Sequence, residues 1–160
     1  MKEILLTKGK IALVDDDMFD YLNQWKWYAK NSGENWYAKR SVWANGKKHN
    51  ISMHRLLMNI SDPKIQIDHK DGDGLNNQKS NLRFCTRSQN YMNKKSQVHK
   101  TSIYKGIYYH KASKKYIAKV GYNKNQIYLG YFKNELDAAK AYDIKALELF
   151  GEFARPNFPK

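Results

Sequence analysis

An aspartate and a histidine stand side by side at Asp68 and His69, and an asparagine follows at Asn90. They offer a carboxylate, an imidazole and an amide. A neutral imidazole, with a reference pKa near ~6.5, accepts a proton from water close to neutral pH. A hard cation such as Mg²⁺ takes oxygen ligands and keeps several waters. Asp68 and Asn90 each supply an oxygen, and a bound cation stabilises charge on a phosphate and on a departing oxygen. The three residues together suit phosphodiester cleavage.

The elements that must position them are readable over residues 65–93. Ile65 and Ile67 alternate with polar neighbours, which predicts a strand reaching Asp68-His69. The stretch 70–80 is dense in Asp, Gly and Asn and predicts a loop. Leu82-Arg83-Phe84-Cys85 predicts a second strand, and Asn81 just before it can tie the loop back through its amide. Thr86 with Gln89 forms a capping box, so a helix is expected there with Asn90 one turn in. Neighbours on a regular strand point to opposite faces. Asp68 and His69 therefore meet one phosphate only if the strand ends or bulges at them. Asp71 and Asp73 lack the spacing and the terminal Glu of a calcium loop and read as turn chemistry.

The order Asp68-His69, Asn81-Leu82-Arg83, Asn90 resembles the HNH nuclease motif in the variant ending in Asn. The gaps of twelve residues from His69 to Asn81 and nine from Asn81 to Asn90 resemble those of phage homing endonucleases. The resemblance implies a ββα-metal fold. In it His69 is the general base, Asp68 and Asn90 are metal ligands for Mg²⁺ or Mn²⁺, and Asn81 completes the catalytic set as a brace.

Composition agrees with such chemistry. The 160 residues carry 29 Lys and Arg against 15 Asp and Glu, a net charge of +14, so the chain is drawn to polyanions. No apolar run approaches the roughly 20 residues of a membrane span, and the N-terminus does not read as a secretion signal. A lone Cys85 excludes an internal disulfide and a four-cysteine zinc site; it reads as a packed strand residue.

Residues 1–60 read as a β-rich support. Two apolar runs, 4–6 and 11–14, flank a turn. Asp15 to Asp17 can cap a short helix. Trp25 and Trp27 alternate as on a strand, a further strand is expected over 36–42, and Asn45-Gly46 signals a hairpin. The tryptophans read as core rather than as base-stacking platforms. A short helix is expected from Met53. His54 on it reads as a polar residue beside the core, with an auxiliary ligand or phosphate contact as the other reading.

Lys94 and Lys95 begin a basic, unpatterned stretch suited to a phosphate backbone. Beyond it, three strands are expected, followed by a helix with Asn134 as N-cap, Gly151 past its end, and Leu136, Ala139, Tyr142, Ala146 and Phe150 on one apolar face. Tyr104-Lys105-Gly106-Ile107, Leu129-Gly130-Tyr131-Phe132, 138–143 and 154–158 resemble the Apetala-type DNA-binding domain of plant ethylene-response factors. That resemblance implies DNA contact by Lys105, Tyr108, His110, Lys119, Gln126 and Tyr128. The plant domains use mostly Arg and Trp at these positions, so bidentate arginine–guanine contacts are not available from this sheet.

The expected fold class is α+β, with a support region over 1–60, a ββα-metal motif over 61–95, a basic linker over 96–103 and an Apetala-type domain over 104–160. The expected function is that of an Mg²⁺- or Mn²⁺-dependent HNH homing-type endonuclease that nicks double-stranded DNA, with Arg83 also touching DNA. It is expected to act as a monomer, without a small-molecule cofactor or a membrane, in the cytoplasm (a bacterial host's, if phage-encoded). The alternatives are a sequence-binding regulator with a silent nuclease unit and a structure-specific nuclease.

Overall fold

Short apolar runs separated by Gly, Asn and Asp build small sheets, not one large one. The computed structural model describes residues 1–94, 101–123 and 125–158. They divide into two units, Met1–Arg87 and Ser88–Lys160. The architecture is mixed α and β, and no helix among the described residues is long and apolar enough to cross a membrane.

The first unit opens with β1 (Lys2–Leu5) and β2 (Ile11–Val14), paired antiparallel around a 3-10 turn. α1 (Asp16–Asn23) follows, with Asp15 at its N-cap and Asp16 and Asp17 in the first turn, where acids suit the dipole. The Asp15 carboxylate does not cap the helix: its Oδ2 accepts from the backbone N–H of Lys79 at 2.7 Å.

Trp25 and Trp27 lie in the irregular connection after α1, not on a strand. β3 begins only at Tyr28 (Tyr28–Ser32) and pairs with β4 (Asn35–Ala44), which pairs with β5 (Lys47–Ser52). The β4–β5 turn has positive φ at both Asn45 and Gly46, the type I′ geometry that asparagine and glycine accept. The tryptophans split. Trp27 is buried, and Trp25 and Trp36 pack against the cluster of Ile4, Val14, Leu22 and Met53. Trp43 is 75% exposed, contrary to a core role.

α2 (Met53–Leu57) buries Met53. The helix ends at Leu57, with Asn59 left-handed at φ 52°. Arg55 donates to the carbonyls of Asp62 and Ile65 and fixes the approach to the next strand. That strand, β6 (Gln66–His69), pairs antiparallel with β7 (Leu82–Cys85). The loop between them is sewn to β2: Leu13 N–H donates to Leu75 O at 2.9 Å and Asn77 N–H to Leu13 O at 2.8 Å. α3 (Arg87–Met92) begins just after Thr86 and carries the chain into the second unit.

The second unit holds β8 (Ile107–His110), β9 (Lys115–Tyr122) and β10 (Asn125–Phe132), an antiparallel sheet in the order β10-β9-β8 with a bulge between Tyr128 and Gly130. Tyr104 to Gly106 were expected in the first of these strands. They form a turn ahead of it, with Gly106 at φ +77° where a Cβ would meet the Tyr142 ring. α4 (Glu135–Phe150) starts at Asn134, whose side chain accepts from Asp137 N–H at 2.8 Å, and ends at Gly151. Ala138, Ala139, Tyr142 and Ala146 bury its inner face against Ile107, Ala118 and Val120. Leu136, expected on that face, is half-exposed at the first turn.

Asp143 is the buried polar anchor of this unit. Its carboxylate accepts from the N–H groups of Asn157 and Phe158 and from Asn157 Nδ2. Asp143→Ala leaves those part-buried donors without their acceptor, and such a loss costs at most about 1–3 kcal/mol. Urea denaturation followed by far-UV circular dichroism is expected to show a loss of that size, and an unchanged midpoint contradicts the assignment.

Candidate functional site

β6 carries Asp68 and His69 in regular register, opposite Arg83 and Leu82, and stops there without a bulge. Regular pleating sends the two side chains to opposite faces. Each therefore meets a different set of partners.

On one face, the Asp68 carboxylate meets its cross-strand neighbour. Arg83 Nε and Nη2 both donate to Asp68 Oδ2, at 2.9 and 2.7 Å. The side chains are only 5% and 9% exposed. Arg83, expected to touch DNA, is instead turned inward to this carboxylate. Cys85 lies on the same face of β7. Burial pushes its thiol up to about 11, the Asp68 charge acts the same way, and Arg83 partly offsets both. Such a thiol is inert packing.

On the other face, His69 enters a cluster of rings. Its imidazole lies 5.2 Å from that of His54, near-perpendicular, and 5.9 Å from the Tyr37 ring; Tyr37 also packs on His54 at 5.8 Å. Burial lowers the His69 pKa. The neighbouring Asn77 and the charges of Asp71, Asp68 and Asp73 act in the opposite direction. His54 is held down to about 3, chiefly by burial and further by His69, Arg55 and Lys39. Both imidazoles are thus kept neutral near pH 7, the form that accepts a proton.

The 70–81 loop is held by its own side chains. Asn81 Nδ2 donates to Asp71 Oδ1 at 3.0 Å and to Asn76 O at 2.9 Å, while Asn81 Oδ1 accepts from Asp71 N–H. Asp71 Oδ2 takes a bond from Asn76 Nδ2, and Asp73 Oδ1 accepts from Leu75 N–H. The acidic pair is engaged in turn formation. Gly74 lies so close to β4 that a Cβ there would collide with Trp36 O and the Tyr37 ring, which seats the loop against the ring cluster.

Asn90 lies on α3, in the second unit. Asp68 and Asn90 each carry an oxygen of the kind a hard cation takes, and Asp68 Oδ2 is already engaged by Arg83. Among the described residues no three His, Cys, Asp or Glu side chains gather where they could hold a metal ion.

In the second unit, strand alternation puts Tyr108, His110, Lys119, Gln126 and Tyr128 on the sheet face away from α4. Tyr131 joins them, 5.7 Å from both His110 and Tyr128; the sequence reading missed it because it sits past the bulge that resets the alternation. Lys105 stands apart from this face. Its ammonium donates to Met92 O and Lys94 O, and burial lowers it to about 8. Lys94 is described, whereas Lys95 and most of the expected linker lie outside the described residues.

Tyr37 and Asn77 were the site neighbours that sequence reasoning did not single out, whereas His54 was noted. Asn77, 1% exposed, looked like one more loop asparagine, and Tyr37 is one of twelve tyrosines. Only His54, beside Arg55 and an apolar run, had a local signal.

Comparison with known proteins adds family information. Residues 61–92 match a family model described as HNH endonuclease. A protein of Acanthamoeba polyphaga mimivirus named as an HNH endonuclease is 32% identical over 150 residues, covering 94% of this chain and 76% of its own length. The H-N-H endonuclease F-TflI of Escherichia phage T5 is 36% identical over 58 residues, 32% of this chain and 30% of the phage protein. An AP2-like ethylene-responsive transcription factor of Arabidopsis thaliana is 37% identical over 70 residues, 38% of this chain and 14% of the factor.

Two outcomes follow from the site's physics. Arg83→Ala leaves a buried carboxylate uncompensated and is expected to cost about 3–5 kcal/mol, whereas the paired change Asp68→Leu with Arg83→Met recovers most of that loss. Equal stability of wild type and Arg83→Ala in urea contradicts the pairing. His54 titrates near 6.5 when unfolded and about 3 when folded. The unfolded chain thus binds more protons in that window, and stability falls as pH drops through it. The melting temperature of wild type is expected to fall more steeply from pH 7 to 4.5 than that of His54→Phe; parallel curves contradict the burial of a neutral His54.

Proposed function

The chain belongs to the HNH endonuclease family, and from that premise we propose that it is a metal-dependent, homing-type DNA endonuclease that nicks double-stranded DNA. The observation that carries this reading is the His69 imidazole, kept neutral by burial at the end of β6 and packed beside the rings of His54 and Tyr37.

In this mechanism, His69 takes the proton of the attacking water, and the new oxygen–phosphorus bond forms as the bond to the departing oxygen breaks. The ring contacts of His54 and Tyr37 hold the imidazole in one orientation. The nearby carboxylates of Asp71, Asp68 and Asp73 favour the imidazolium once the proton has moved. Asn81 keeps the loop, and so those carboxylates, in place. Asp68 would hold Mg²⁺ or Mn²⁺, which when bound offsets charge on the scissile phosphate and the departing oxygen. Because β6 stops at His69, a phosphate at the strand end is approached from both faces, by water on one side and by the carboxylate on the other.

The second unit supplies binding in this account. Its outer face, with Tyr108, His110, Lys119, Gln126, Tyr128 and Tyr131, presents rings and polar tips to DNA, in keeping with the similarity to AP2-like factors. The net charge of +14 supports attraction to a polyanion.

The test is a nicking assay on supercoiled plasmid with Mg²⁺. Wild type is expected to convert it to the relaxed circle, and His69→Ala to lose at least about 100-fold in rate, the usual scale of a positioned general base. Equal DNA binding by the two proteins with no nicking by either favours a regulator with a silent nuclease unit.

A further inference from the structure

The β3–β4–β5 sheet has two chemically different faces. One face buries Ala29 and Ala38, which pair across β3 and β4. Arg40 is on that face, its guanidinium 3.9 Å from the Trp25 ring and 5.8 Å from that of Trp27, so its charge is spent on packing. The opposite face carries Lys30, Tyr37, Lys39, Trp43 and Lys48 by alternation. No aspartate or glutamate lies on this face. Lys30, Lys39 and Lys48 have no ion-pair partner among the described residues.

This face is a shaped surface. Tyr28, Lys30, Lys39, Ser41, Lys48 and Asn50 line a shallow depression of about 420 Å³. Its floor is pre-ordered: the hydroxyls of Tyr28 and Ser41 both donate to Asn50 Oδ1, at 3.1 Å. The hydroxyl protons are taken up by Asn50, and the rim lysines are the groups that bind phosphate oxygens in protein–DNA interfaces.

It also leads to the candidate catalytic residue. Tyr37 belongs to the same face, and its ring packs on both His54 and His69. Lys39 is close enough to act on the His54 charge. From Tyr37 to Trp43, β4 runs six residues, roughly 20 Å at the usual strand rise. That equals about six base steps of duplex at 3.4 Å each. Trp43, 75% exposed, stands at the far end directly across from Lys48.

We propose that this outer face of the β3–β4–β5 sheet is a docking track for the phosphate backbone of double-stranded DNA, running from Trp43 and Lys48 to His69. The proposal rests on the reading of the chain as a DNA nuclease and adds a binding surface within the first unit. Duplex backbone is the occupant that fits: unpaired lysines on a face free of carboxylates suit phosphates, and one tryptophan at the end is too little for a base-stacking platform.

The test uses the full chain with His69→Ala, so that DNA is not cut, and reads binding of a fluorescein-labelled duplex by anisotropy across a salt series. Adding Lys30→Gln, Lys39→Gln and Lys48→Gln is expected to weaken binding at least 10-fold near 0.15 M salt. It is also expected to reduce the slope of log K against log salt by about 2–3, since each lost phosphate contact removes about 0.9. Arginine at the same three positions is expected to keep the slope, and all variants to melt with the parent. Lys8→Gln, Lys26→Gln and Lys47→Gln together, three charges off this face, are expected to change the slope by less than 1. An unchanged slope in the first triple variant overturns the track, as does an equal loss in the second. If the parent itself fails to bind duplex DNA, the nuclease reading falls and the track with it.

Discussion

A buried ion pair between adjacent strands fixes where every other group of the site can be. Arg83 meets Asp68 across a hairpin of two four-residue strands. With Asp68 locked to Arg83 on one face, pleating leaves His69 only the other. A slip of one residue would exchange the two, turning the carboxylate toward the rings of His54 and Tyr37 and the imidazole toward Arg83. The pair is therefore worth more as a register device than as raw stability, since buried ion pairs often do no better than apolar substitutes in free energy.

Two such short strands cannot hold a register alone. The first unit supplies what they lack. The connecting loop adds its backbone to β2 through Leu13, and Lys79 ties it to Asp15 and Asp17 at the start of α1. Asn81 and Asp71 close the loop on itself. Gly74 lets it approach the Tyr37 ring as no other residue would. The apolar cluster around Leu22 and Met53 stiffens the frame from behind. Met53 also begins α2, so the core that anchors this helix sets the position of His54 one residue on.

The sequence disclosed the motif and most of the elements because these signals are local. Asp68, His69, Asn81 and Asn90 are recognisable by type and spacing, and hairpin, cap and turn residues mark the boundaries around them. What it hid was contact across distance. Arg83 looked like a DNA-facing arginine because nothing local says that strand pairing brings Asp68 opposite. Lys105 was expected at DNA from the Apetala-type resemblance, and its carbonyl partners at Met92 and Lys94 exist only in the folded chain. The Trp25-Lys26-Trp27 alternation mimicked a strand, but those rings alternate to pack on Leu22 and Arg40, and no partner strand is present there. Trp43 carried no sign that it would face water. His54 was visible as a polar residue in an apolar helix, yet its meaning came from Tyr37 and His69, neighbours separated by many residues in the chain.

We propose a division of labour imposed by one strand: the carboxylate side handles the cation and the imidazole side handles water. Anomalous diffraction from crystals grown with Mn²⁺ and a cognate duplex reads this directly. The expected result is a manganese peak coordinated by an Asp68 oxygen, with the His69 imidazole outside the coordination shell. A peak ligated by His69, or one with Asp68 still held wholly by Arg83 and distant from the ion, contradicts it.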